Sequence, residues 1–207
     1  MQTHRRIEPP LRAKALRERP ACIPPLPAFK GAKAAGLRFE RALHKALKGS
    51  THGQWFEFED AQGFGYCQTD LLFPFHFEGL VAVIEAKYTL VPGAHSKLAG
   101  LYVPVVAKAF GCEACGVVVV KNLDPRFRRG RIYTDLVSAA YAAIDSGYPT
   151  LIQWSGQALI RAASQERATR SVAATYLPDA KASGREADAA TYTPNSPNSP
   201  NSPNSLW

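Results

Sequence analysis

The run Gln68–Thr89, QTDLLFPFHFEGLVAVIEAKYT, decides how this chain is read. Asp70 stands alone before one apolar segment, and a second apolar segment closes on Glu85-Ala86-Lys87. Extended residues two apart share a face. Val81, Val83, Glu85 and Lys87 therefore point one way, and Ala82, Ile84, Ala86 and Tyr88 the other. An acid and a base leave an otherwise hydrophobic strand side by side. Burying a charge is costly unless it is paired or bound to a metal, so two adjacent ones at the end of a core strand need a reason. The bland reading is a surface salt bridge between Glu85 and Lys87 at a fraying strand end, with Asp70 as a turn residue.

Phosphodiester hydrolysis supplies a sharper reason. It needs a hard cation to polarise the phosphate, oxygen ligands to hold that cation, and a group that positions a water. Asp70 and Glu85 would hold Mg²⁺ or Mn²⁺, and Lys87 would orient the water. Asp70, fourteen intervening residues and then Glu85-Ala86-Lys87 resemble the motif of the PD-(D/E)xK nuclease superfamily, over roughly residues 36 to 122. The resemblance implies an α/β fold, a mixed central sheet flanked by helices with an αβββαβ restriction-endonuclease-like or Holliday-junction-resolvase-like core. It also implies the Ala86 carbonyl as a further metal ligand and a glutamate from the first helix in the acidic cluster. Glu40, in the stretch Gly36-Leu37-Arg38-Phe39-Glu40, is the matching position; pairing with His44 or Arg41 is the alternative.

The periodicity around the motif agrees with that order of elements. Phe39, Ala42, Leu43, Ala46 and Leu47 recur at helical spacing and place a helix over residues 32 to 47, closed by Gly49. Gln54–Asp60 alternates as a half-exposed strand, and residues 64 to 75 read as a second strand with Pro74 marking an edge or bulge. Gln68, two before Asp70, would share its face and reach the phosphate. A turn at Glu78-Gly79 leads into the third strand. His95–Phe110 carries the stripe Leu98, Leu101, Tyr102, Val105 and Ala109, and Pro104 should kink or restart this helix. Lys97 and Lys108, eleven positions apart, would lie on one side of it and meet DNA phosphate. Exonuclease-like relatives carry Gln-x-x-x-Tyr in this helix; Leu98 stands where the Gln would precede Tyr102, so that motif is absent. Gly116–Val120 is a buried strand. Arg126, Arg128, Arg129 and Arg131 form a basic loop suited to phosphate contact. A helix over residues 133 to 146, a strand over 148 to 154 and a helix over 155 to 175 complete the expected elements.

The 207 residues are enough for one domain with a full core. The net charge of +8 is concentrated in residues 1 to 48, which hold twelve Lys/Arg against three acids. Such clusters bind polyanions by neutralising phosphate, which points to DNA as partner. Residues 1 to 31, rich in proline and arginine, read as an extended arm that lies along DNA or wraps the domain, with a short helical piece around residues 11 to 18. Residues 32 to 176 form the expected nuclease domain. Residues 177 to 207, ending in Asn-Ser-Pro repeats, read as a disordered tail. Arm or tail would serve any protein partner. No apolar run suits a membrane span or a secretory signal, so a cytoplasmic protein is expected. Cys112 and Cys115 have zinc-ligand spacing without a second pair, and read as structural cysteines.

The expected activity is Mg²⁺-dependent DNA cleavage, by preference that of a structure-specific endonuclease; junction cutting would require a symmetric homodimer. A non-catalytic DNA-binding module on the same fold, an end-directed exonuclease and an interaction protein are the alternatives.

Overall fold

The apolar runs Leu80–Thr89 and Glu113–Asn122 lie side by side as parallel strands at the centre of a six-stranded sheet. Residues 82–86 of the first and 115–120 of the second are buried on both faces, as parallel strands covered by helices require. The structure, a computed structural model, describes residues 5–25, 27–75, 79–90, 93–123 and 131–160. The strands in chain order are β1 Arg12–Leu16, β2 Thr51–His52, β3 Trp55–Asp60, β4 Gly63–Gln68, β5 Leu71–Phe75, β6 Leu80–Thr89, β7 Glu113–Asn122, β8 Ile132–Tyr133 and β9 Thr150–Gln153. Helix α1, Gly31–Ala46, precedes β2, and α4, Leu136–Ser146, precedes β9. Between β6 and β7 come α2 (Ala94–Lys97), a π-helical turn (Leu98–Tyr102) and α3 (Val103–Phe110).

The large sheet runs β2-β5-β6-β7-β9-β8. β5 is antiparallel to both β2 and β6, and β6, β7, β9 and β8 pair in parallel. A separate antiparallel sheet runs β1-β3-β4. The fold class is α/β with a mixed sheet flanked by helices, in keeping with the sequence reading. Strand alternation sorts the core into two halves. Ala82, Ile84 and Ala86 of β6 join Val117 and Val119 of β7 against Phe39, Leu43 and Leu47 of the first helical segment and the alanines of α4. Val83, Val118 and Val120 pack on the other face against Leu98, Tyr102 and Val105 and against Phe56 and Phe58 of the small sheet.

Several expectations are corrected. The piece around residues 11 to 18 is strand β1, not helix; it pairs with β3 from Arg12↔Glu59 to Leu16↔Trp55. Ahead of it Ile7 donates its N–H to the Gly100 carbonyl, and Arg5 forms an ion pair with the buried Asp60. Alternation of apolar side chains in a short, proline-flanked run suits an edge strand better than a helix once a partner exists. The strand expected over residues 64 to 75 is two strands in different sheets, parted at Thr69-Asp70. The helix expected from Tyr133 starts at Leu136 instead, because Asp135 caps it by accepting a hydrogen bond from the Ser138 N–H at 2.8 Å. Residues 155 to 160 are not helical, and the rest of that expected helix lies outside the described residues, as do Glu78, Arg126, Arg128, Arg129 and the tail.

Pro104 does restart the helix as expected, at the first turn of α3, where its missing N–H costs least. Pro74 falls beyond the end of the short β2, on an uncovered stretch of β5. Cys115 is buried and its thiol pushed up to about 12 by that burial, the state of an inert core cysteine. Among the described residues no helix is long and apolar enough to cross a membrane.

Leu43, fully buried between α1 and the sheet, tests the α1 packing that carries Glu40. Leu43→Ala is expected to cost about 2–5 kcal/mol of stability, read from the urea unfolding midpoint.

Candidate metal centre

The site forms where β6 outruns its antiparallel neighbour. Pairing of β5 with β6 begins at Leu71↔Ile84, and the chain before Leu71 turns away toward the small sheet. The Ala86 N–H, past the end of that ladder, is taken up by the Asp70 side chain, which accepts it through Oδ2 at 2.9 Å. The sequence break at Thr69-Asp70 and the continuation of β6 thus place one carboxylate beside another.

Glu85 is 1% exposed, on the face of β6 that carries Val83. Its Oε1 lies 2.5 Å from Lys87 Nζ and 3.9 Å from Lys97 Nζ, while its Oε2 is buried without a hydrogen-bond partner. Lys87 Nζ is also 3.7 Å from Asp70 Oδ2, so it bridges the two acids. The burial sets this group apart from a salt bridge at a fraying end. Burial alone lowers the Lys87 pKa, but Glu85 and then Asp70 outweigh it, and the ammonium is held above its ordinary value. The Asp70 carboxyl is pushed up to about 7, first by burial and then by the Glu85 charge, against the pull of Lys87.

Glu40 reaches the same neighbourhood from α1. Its pKa is raised by burial, with Lys87 opposing and Glu85 adding to the rise. Its Oε1, however, is 2.6 Å from His52 Nε2, and His52 stacks on His44 with ring centroids 5.4 Å apart. The expected partners His44 and Arg41 are replaced by His52, brought in by β2 through the pairing His52↔Leu71. Nothing in the local pattern singles out His52; only the return of the chain beside Asp70 does.

Two expected phosphate contacts change place. Gln68 ends β4 and donates its side-chain amide to the Gly53 carbonyl at 3.0 Å; the strand break after it removes the shared face with Asp70. Lys97 and Lys108 do not share a side. A π turn holds one extra residue, so eleven positions across it fall roughly 80° short of three α turns. Lys108 is exposed, whereas Lys97 turns inward to Glu85. Arg131 is exposed and lies over the Tyr133 ring at 4.9 Å.

These groups fit a hard divalent cation in donor chemistry. The Glu85 charge adds to the rise of the Asp70 carboxyl, and one buried Glu85 oxygen has no partner, a pattern that a cation would relieve. They fit it with Asp70 and Glu85 rather than with a three-acid cluster, since no group of three or more His, Cys, Asp or Glu is arranged to hold a metal among the described residues. Glu40 is engaged by His52, and Ala86 stands between the two ligand positions on β6 with its methyl in the core. No family model, curated protein or solved structure matches the chain.

A carboxyl whose pKa rises on folding holds its proton more tightly in the native state. Its stabilising share is complete below the ordinary 3.8 and is lost as pH climbs to about 7. The metal-free protein is therefore expected to lose roughly 2–4 kcal/mol across that window on account of this group. Asp70→Asn keeps an acceptor for Ala86 and should flatten the profile, measured by urea unfolding in EDTA from pH 4 to 8.

Proposed function

We propose that this chain is a divalent-metal-dependent nuclease of the PD-(D/E)xK type that hydrolyses DNA phosphodiester bonds, with a preference for branched or flapped structures. The observation that carries the reading is the buried Glu85, bridged through Lys87 to Asp70 where the β5–β6 ladder ends on a central strand. Within the large sheet the order α1, β2, β5, β6, α2–α3, β7 follows the αβββαβ core that the motif implies, with the β3–β4 hairpin of the small sheet inserted after β2, which supports the same reading.

Asp70 and Glu85 would hold Mg²⁺ or Mn²⁺. When bound, the cation supplies Lewis-acid polarisation of the phosphate and lowers the pKa of a coordinated water. Lys87, kept protonated by its two carboxylates, orients the attacking water and offsets negative charge that develops on the phosphate. Because Lys87 holds its proton, it is not the base; the proton of the water passes to solvent. β6, buried on both faces over Ala82 to Ala86, fixes Glu85 in place, so little reorganisation is needed as charge moves. Outside the centre, Lys108 and Arg131 are exposed cations available to the DNA backbone. Cutting both strands of a junction would take two such centres, hence a symmetric pair of chains.

The test is cleavage of end-labelled linear, single-stranded, flapped and four-way DNA in Mg²⁺, Mn²⁺ or EDTA. Cutting is expected only with metal. Lys87→Ala and Glu85→Gln, checked for folding by circular dichroism, should each reduce it by about 10²-fold or more. If no DNA is cut while wild type and both variants bind it equally, a non-catalytic DNA-binding module replaces the nuclease.

A further inference from the structure

Lys97 is drawn into the centre by the π turn. α2 ends at Lys97, and Leu98–Tyr102 form the π-helical segment. In a π helix residues five apart stack on one face, as residues four apart do in an α-helix. Lys97 and Tyr102 are five apart, and Lys97 Nζ lies 4.4 Å from the centroid of the buried Tyr102 ring. The ring carries the ammonium toward the sheet, to 3.9 Å from Glu85 Oε1.

That second ammonium is in excess for Glu85. The short contact of 2.5 Å already belongs to Lys87, and Lys97 stands beyond hydrogen-bond reach of the same oxygen. Its side chain is 29% exposed, so the charge sits at the mouth of the site, between the buried carboxylate and solvent. A divalent cation on Glu85 would repel it outward, and an anion lying over the carboxylates would meet it first.

We propose that Lys97 is a phosphate-binding residue of this centre. With no divalent cation it serves as a stand-in cation on Glu85; with one bound, its ammonium moves to a non-bridging oxygen of the DNA phosphodiester. This assignment rests on the nuclease reading for its substrate, and it replaces the outer-face role that helical spacing alone implied.

Two measurements test it on the full chain with Lys97→Gln and Lys97→Arg. The first is the salt dependence of binding to a labelled flapped DNA in Ca²⁺. Lys97→Gln should lower the slope of log K against log salt by about one and weaken binding several-fold, and Lys97→Arg should restore the slope. The second is Mn²⁺ binding without DNA, followed by electron paramagnetic resonance. Loss of a competing ammonium should raise the Mn²⁺ affinity of Lys97→Gln several-fold above wild type. An unchanged salt slope in Lys97→Gln overturns the phosphate role, and unchanged or weaker Mn²⁺ binding overturns the stand-in role. Should Lys97→Gln fail to fold, a wild-type slope and affinity that Lys97→Arg leaves untouched while Lys97→Met, matched in length, also leaves them untouched overturns both. If wild type cuts no DNA while Lys97→Gln lowers the salt slope, the nuclease reading is defeated and the phosphate role of Lys97 stands; cutting by wild type with no slope change in Lys97→Gln does the reverse.

Discussion

A carboxylate buried to 1% exposure in the middle of a sheet is the constraint around which the rest is arranged. Such a charge is tolerated only with close compensation, because its interactions with water are gone and the interior offers few substitutes. Lys87 provides the short contact from the same strand face, and Lys97 approaches from the facing helix. Asp70 then shares Lys87, and its own carboxyl rises because it is buried beside Glu85. The result is a group of charges that balance without a metal and still leave one carboxylate oxygen unpartnered. That oxygen is the one a cation would take up under the proposed function.

The architecture supplies that cluster by ending one ladder before the next. β6 is paired in parallel with β7 as far as Thr89, whereas β5 leaves it at Leu71. The rigid strand holds Glu85 and Lys87, and the departing chain leaves Asp70 at the Ala86 N–H. The small sheet exists because the chain departs there: β4 belongs with β3, and β3 takes its other edge from β1. An N-terminal stretch that composition presents as a basic arm is in this way bound to the domain through a sheet edge and the Arg5–Asp60 ion pair. Its exposed arginines and lysines stay on the surface, so the basic character survives the change in structure.

The π turn is a local departure from regular helix with a chemical consequence. Pro104 cannot donate a hydrogen bond and is accommodated by restarting the helix just before it, while the extra residue of the π turn rotates Lys97 onto the face of Tyr102. Such insertions appear often at functional positions because they re-aim one side chain without moving the core residues on either side. Leu98, Val105 and Val106 remain fully buried across it.

The sequence by itself determined the α/β class, the central strands and the pairing of Glu85 with Lys87 on one face. Each follows from a period of two or of 3.6 in apolar residues, a property of the backbone geometry that any packing must respect. It also placed Asp70 opposite the motif, since an acid before an apolar run has few places to go. Tertiary structure alone decided the rest. β1 became a strand because β3 offered an edge, and His52 reached Glu40 because β2 paired with β5. Lys97 entered the site because a five-residue turn replaced a four-residue one. These outcomes depend on which distant partner completes a hydrogen-bond ladder or relieves a local clash. No repeat in the chain encodes that partner, so the fold was legible while the full set of residues around Glu85 was not.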